Sequence, residues 1–156
     1  MLFHLLLGCS PSEKLFDAQL LSDFHIGMNY PWQNYGTDFG TSAWGDMGIQ
    51  SQRMQLDTDF QLLSDSGVEV VRWFVLCDGR SSPEFDVQGY PTTLEDDFYD
   101  DMDTLLEIAE KHHLLVVPVL FDFYWLGVAE FTNGTQMGGH ADTFFDVAKQ
   151  EALLQN

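Results

Sequence analysis

Apolar positions along the chain alternate between two kinds of segment. Residues 24–30 (Phe-His-Ile-Gly-Met-Asn-Tyr), 68–76 (Val-Glu-Val-Val-Arg-Trp-Phe-Val-Leu) and 114–123 (Leu-Leu-Val-Val-Pro-Val-Leu-Phe-Asp-Phe) are short and rich in β-branched or aromatic residues, which predicts strands. The second is nearly continuous in its hydrophobicity, as expected of a strand covered on both faces. Pro118 weakens the third, because proline removes a ladder donor. Between the strands lie segments of helical period. Over residues 54–66, Leu56, Phe60 and Leu63 recur at spacings of four and three, and Gly67 stops the helix. A second helix opens at a capping-box pattern, Thr93 with Asp96. Its buried stripe is Phe98, Met102, Leu105, Leu106 and Ala109, with Asp97, Asp100, Asp101, Asp103, Glu107 and Glu110 mostly on the other side. Lys111, His112 and His113 close it where cations suit the helix dipole. Residues 141–156 predict a third helix.

The order is strand, long loop, helix, three times over. Such alternation implies a parallel sheet with right-handed crossovers. The connections are unequal. Each strand-to-helix loop is long and rich in Gly, Trp, Tyr and Asp, whereas the helix-to-strand turns are a residue or two. Function is therefore expected at the carboxyl ends of the strands. No G-x-G-x-x-G or G-x-x-x-x-G-K follows any strand, which argues against a nucleotide-binding version of the fold.

The chain has 156 residues, with 25 acidic side chains against 6 Lys and Arg and a formal net charge of −19. That surface repels phosphate backbones and anionic membranes, so neither nucleic acid nor a basic-patch membrane contact is expected. A neutral polysaccharide or oligosaccharide is compatible with it. Only two cysteines are present. Cys77 lies at the end of an apolar run and reads as a buried free thiol. Cys9 follows Leu5-Leu6-Leu7-Gly8 and precedes polar Ser10-Pro11-Ser12-Glu13, which is similar to a bacterial lipobox, although no Lys or Arg precedes the apolar stretch. Residues 1–22 are read as an export leader with a polar linker and residues 23–156 as one domain. The expected location is extracellular or the bacterial outer membrane, with any membrane contact made through a lipid on Cys9.

Candidate chemistry gathers past the strands. Tyr30, Trp32, Tyr35 and Trp44 follow the first, and Tyr124 and Trp125 the third. Sugar rings stack their C–H faces on such planes, so these loops suit a carbohydrate groove as well as simple packing. Asn29 ends the first strand and suits either a sugar hydroxyl or a turn. Arg72 is the basic residue inside an apolar strand, and a buried guanidinium demands a carboxylate. Asp78, ending the second strand, and Asp122, ending the third, are its candidate partners and line the same mouth. His25, His140 and the His112-His113 pair lack metal-ligand spacing, so neither a metal nor a cofactor is expected.

Several of these segments resemble a known family. Gly27-Met28-Asn29-Tyr30-Pro31-Trp32, residues 66–74, Asp78-Gly79-Arg80, residues 105–109, residues 118–123 and Gly138-Gly139-His140-Ala141-Asp142 resemble the opening of the cellulase-like enzymes of glycoside hydrolase clan A, nearest family 5. The resemblance implies a (β/α)₈ TIM barrel, of which this chain holds about three βα units, and retaining cleavage of β-linked glycans. A full barrel takes about 250 residues. The family's acid/base glutamate follows the fourth strand and its nucleophile sits on the seventh. Retention needs the two carboxyls about 5–5.5 Å apart. Both are expected beyond Asn156, so no catalytic residue is assigned and the chain alone is expected to be inactive. Arg72 matches the second-strand arginine that holds the nucleophile. The third strand of the family often ends in histidine, whereas here it reads Asp122-Phe123. The expected function is part of an exported cellulase- or mannanase-like hydrolase. The alternatives are a non-catalytic carbohydrate-binding lipoprotein and a degenerate structural fragment.

Overall fold

The computed structural model describes residues 24–41, 48–94 and 96–155. The leader with Cys9, and Trp44, lie outside the described residues. Three parallel strands form the central sheet: β1 (Gly27–Asn29), β2 (Val70–Phe74) and β5 (Leu115–Val119), in the order β1-β2-β5. Asn29 pairs with Arg72, and Arg72 with Val117. Helix α1 (Arg53–Asp65) joins β1 to β2, and α2 (Asp96–Lys111) joins β2 to β5. The expected parallel α/β arrangement is therefore present. Among the described residues, no helix is long and apolar enough to cross a membrane.

Among the described residues, the helices cover one face of the sheet. Val71, Trp73 and Val75 point into that layer and are buried against a core that includes Leu56, Phe60, Leu105 and Ile108. Two-residue alternation sends Arg72 to the opposite face, where it is exposed, as are Leu115 and Val117 of β5. Among the described residues, then, the helix layer covers one face of β2, and the other face is exposed at Arg72. Pro118 is accommodated because β5 is an edge strand. Leu115 donates its N–H to Glu69 on the β2 side, so by alternation the nitrogen of Pro118 faces the unpaired edge.

The helix boundaries fall near the expected ones, with three corrections. Thr93 lies in a short strand and its hydroxyl donates to the Leu94 carbonyl, so it does not form the expected capping box. On α2, Leu106 is exposed while Asp101 and Ile108 are buried, so the stripe is rotated toward Asp101, Thr104, Leu105 and Ile108. The third helix breaks into α3 (Asp142–Phe145) and α4 (Val147–Leu154). The break falls at Asp146, whose carboxylate accepts from the backbone N–H groups of Ala148 and Lys149 and so caps a new helix.

The long loops hold structure of their own. The loop after β2 contains the hairpin β3 (Glu84–Phe85) and β4 (Pro91–Thr93). After β5, a 3₁₀ turn at Phe123–Leu126 is capped by Asp122, and the hairpin β6 (Glu130–Thr132) and β7 (Thr135–Met137) follows. Asn133 and Gly134 form its two-residue turn, the pairing that a right-twisted hairpin prefers.

Candidate functional site

The site begins with the loop that leaves β1. Asp38 is buried, and its carboxylate accepts the backbone N–H groups of Gln33 and Asn34, both at 2.7 Å. This closes the segment into a tight arch. Burial pushes the Asp38 carboxyl up to about 6. The arch holds Trp32 and Tyr35 over the carboxyl ends of the strands, with Trp32 edge-on to Tyr35 at 4.9 Å.

The loop leaving β2 meets this arch. Asp78 is 3% exposed and is gripped by Arg80, whose Nε lies 3.0 and 3.2 Å and whose Nη2 lies 2.7 Å from its carboxylate oxygens. The hydrogen bonds to Asp78 hold the guanidinium pKa above its ordinary value. Two glycines make this approach possible. A Cβ on Gly79 would stand 2.8 Å from His140 Nε2, and one on Gly36 would stand 2.7 Å from Arg80 Cδ. The Arg80 guanidinium also lies over the Tyr35 ring, 4.7 Å from its centroid.

The loop leaving β5 supplies the third side. Tyr35 donates its hydroxyl to Asp122 at 2.6 Å, and the second oxygen of Asp122 accepts the N–H of Tyr124 at 2.7 Å. Desolvation, then this bond to Asp122, raises the Tyr35 phenol well above the usual range, so it remains a donor. A cleft of about 330 Å³ opens between Tyr35, Asp78, Arg80, Tyr124, Glu130 and Met137. Its size is at the low end of small-molecule sites. On the far side, Trp32 leans on Phe74 at 6.1 Å, Arg72 stacks over Phe74 at 4.2 Å, and Arg72 donates to Asn29 at 3.0 Å. The result is one ribbon of rings and polar groups across all three strand ends.

Five of the six expected site residues lie on this ribbon: Asn29, Trp32, Arg72, Asp78 and Asp122. Their partners differ from expectation. Arg72 is exposed and bonded to an amide, so it is neither buried nor paired with Asp78 or Asp122. Asp78 is taken by Arg80 and Asp122 by Tyr35. Of the two roles open to Trp125, contact with a sugar or support of the site, its burial fits support: it is fully buried, packs on Phe121, Phe85 and His140, and donates its Nε1–H to Thr143 at 2.9 Å. It supports the loop from beneath and offers no free face to a sugar. Arg80, Glu130 and Met137 join the site without having been singled out as site residues. Asp78-Gly79-Arg80 carried the only local signal, an acid and a base flanking a glycine. Cys77 is a buried free thiol, with desolvation pushing it up to about 12. Among the described residues, no group of His, Cys, Asp and Glu is arranged to hold a metal ion.

No protein-family model matches the chain. Among curated proteins it is 27% identical over 116 residues to a mannan endo-1,4-β-mannosidase of Mytilus edulis, covering 74% of this chain and 29% of that protein. It is 26% identical over 152 residues to the mannan endo-1,4-β-mannosidase of Cryptopygus antarcticus, covering 96% of this chain and 36% of that protein. The chain is thus similar to endo-1,4-β-mannosidases over part of their length. It spans about a third of the length of these mannosidases, which are glycoside hydrolases. Structural comparison agrees. The crystal structure of the β-1,4-D-mannanase from Cryptopygus antarcticus superposes with a TM-score of 0.67 at 25% identity, over 85% of this chain and 33% of that one. The endo-1,4-β-mannanase from Eisenia fetida gives 0.65 at 27% identity, over 85% and 34%. The β-mannanase of Mytilus edulis, at 21% identity, shares the fold with a TM-score of 0.66, over 85% of this chain and 35% of that one. The mannosidase likeness thus takes in the βα units whose loops build the ribbon.

Proposed function

We propose that residues 23–156 form three βα units of a (β/α)₈ glycoside hydrolase domain and that the ribbon binds a β-linked glycan, with mannan the first candidate. The observation that carries this is the ribbon itself: exposed rings and fixed polar groups lying across the carboxyl ends of parallel strands, where barrel enzymes keep their sites. The mannosidase relatives support mannan over other β-glycans. Retaining hydrolysis requires two carboxyls free to act on opposite sides of one bond. Asp78 is locked in the Arg80 fork and Asp122 holds Tyr35 and a backbone N–H, so both serve as positioning groups. The chain as given therefore binds glycan without cleaving it, and the catalytic pair belongs to the remainder of such a barrel. The leader directs export, with Cys9 as the lipid attachment point.

Affinity electrophoresis in mannan-containing gels tests this reading. The expected result is retardation that Trp32→Ala abolishes and Tyr35→Phe weakens, with no reducing sugar released. Equal mobility with and without mannan would overturn binding. Sugar release that is lost in Asp122→Ala would overturn the assignment of Asp122 as a positioning group.

A further inference from the structure

The tip of the hairpin β6–β7 carries a motif that the strand-end site does not use. Phe131-Thr132-Asn133-Gly134-Thr135 contains Asn-x-Thr with glycine, not proline, in the middle place. Asn29 and Asn34 lack the hydroxyl two residues on, being followed by Tyr30-Pro31 and Tyr35-Gly36. Asn-x-Ser/Thr is the acceptor pattern for sugar transfer to an asparagine amide in an exported chain. It carries weight only where the folded surface can hold a bulky, solvated chain.

The hairpin meets that condition. Its cross-strand pairs include Phe131 with Gln136 and Thr132 with Thr135, which leaves Asn133 and Gly134 as the two turn residues. Both are exposed, and their φ angles of 53° and 88° are those of a tight primed turn. A Cβ on Gly134 would meet no atom within 4 Å, so the turn stands in open space. The base of the hairpin is tied down. The Gly138 N–H donates to the Asp78 carbonyl at 2.8 Å, and Gln136 Nε2 donates to the Gly138 carbonyl at 2.9 Å. A sugar at the tip therefore extends into water without disturbing the ladder or the core. Two residues before Asn133, Phe131 is 68% exposed. Its ring offers an apolar plane to the C–H face of a sugar attached nearby, which would take that area out of water.

We propose that Asn133 is the acceptor of an N-linked glycan whose first sugar rests on Phe131. In the transfer, the Asn133 amide nitrogen bonds to the anomeric carbon of an oligosaccharide carried on a polyprenyl diphosphate. The bond from that carbon to the diphosphate oxygen breaks, and the diphosphate leaves with the electron pair. One amide proton passes to a base of the transferring enzyme, and nothing is oxidised or reduced. The inference draws only on the export part of the proposed function. It needs no lipid on Cys9 and requires a secretory pathway that holds such a donor.

The test is secretion of the full chain from insect cells in two forms, one with its own leader and one with a host export signal placed ahead of Met1. Intact glycopeptides are read by mass spectrometry, because Asn-Gly sequences deamidate spontaneously and an Asn-to-Asp change alone would mislead. Sugar is expected on Asn133, lost in both Asn133→Gln and Thr135→Ala and kept in Thr135→Ser. The glycosylated chain should melt about 2–4 °C above the same chain after enzymatic removal of the glycan, and Phe131→Ser should remove most of that difference. Phe131 is exposed enough for its loss to be tolerated. A secreted chain with no sugar on Asn133, or sugar that survives Thr135→Ala, would overturn the acceptor site. A melting difference unchanged in Phe131→Ser would overturn the contact with the ring. Glycosylation only in the form with the added signal would overturn the export reading of the leader and uphold Asn133 as the acceptor.

Discussion

Asp101 offers the sharpest test of how the site is held. It sits on α2, 3% exposed, and its two carboxylate oxygens accept the backbone N–H of Gly40 at 3.0 Å and of Gln50 at 2.8 Å. One helix side chain thereby pins both flanks of the long loop that begins with Trp32 and Tyr35. The fit is close: a Cβ on Gly48 would stand 2.4 Å from Asp101 Oδ2. Asp101→Ala strands two backbone donors, each at about 1–3 kcal/mol. Better helix propensity returns only about 0.5 kcal/mol. The expected net loss is about 1.5–5.5 kcal/mol, a large share of the roughly 5–15 kcal/mol that holds a typical domain. Asp100, its exposed neighbour, supplies the control, since Asp100→Ala changes the same charge and propensity without stranding a donor. Urea unfolding followed by tryptophan fluorescence gives both values, and hydrogen exchange at Gly40 and Gln50 localises the effect. If the two variants unfold within about 0.5 kcal/mol of each other, the pinning role of Asp101 is wrong.

Three further outcomes are expected. His140 is depressed to about 4 in the folded chain, so its contribution to stability is full above the unfolded histidine value and is lost as pH falls toward 4, whereas Asp38, raised to about 6, destabilises increasingly as pH rises from the unfolded carboxyl value to 6. The two slopes oppose between about 4 and 6, so Asp38→Asn should leave stability rising with pH in that window and His140→Phe should leave it falling; parallel pH profiles for both variants and the parent would refute the opposition. Cys9→Ala should move the protein from the membrane fraction to the soluble one in a bacterial host, and unchanged fractionation would rule out lipidation at that position. The uncovered sheet face and the free β5 edge should drive self-association, seen as concentration-dependent elution in size-exclusion chromatography and reduced by Val117→Lys; a parent chain that elutes as a monomer at every concentration would refute it.

The strands and helices were legible because their signals are local. The period of Leu56 and Phe60, and the apolar run around Trp73, each report which residues share a face. The loops were less so. Asn133-Gly134 is a strong hairpin signal, yet Gly and aromatic residues dominate the surrounding residues 124–139 and give them the pattern of a plain loop. Asp101 could not be placed from its helix alone. Acidic residues occupy 97, 100, 101 and 103, and Asp101 among them is held by a pair of N–H groups 61 and 51 residues earlier. Trp125 stayed open between two roles for a related reason. A tryptophan in a Gly-rich loop is equally suited to a sugar and to a hydroxyl such as Thr143 eighteen residues on, and only the three-dimensional return of the chain decides between them.

The partners of Arg72, Asp78 and Asp122 follow from one geometric fact. A strand alternates faces, so Arg72 leaves the sheet on the side away from the helices, in line with Asn29 and Val117. Asp78 and Asp122 come after their strands end, where the chain has already turned, and are therefore reached by loop residues: Arg80 from two residues on in the same loop, and Tyr35 from the arch above β1. Their carboxylates are satisfied before Arg72 could compete. Arg72 instead rests on Phe74 and Asn29, an arrangement stable for a guanidinium only while water reaches it. In the barrel proposed for this domain, the face bearing Arg72 is the interior one, and covering it removes that water. An amide and a ring do not balance a desolvated guanidinium, and the partner that the family resemblance implies for Arg72 is the nucleophile carboxylate. The exposed Arg72 is compatible with that implied role, while the two acids already at the site hold its loops in position.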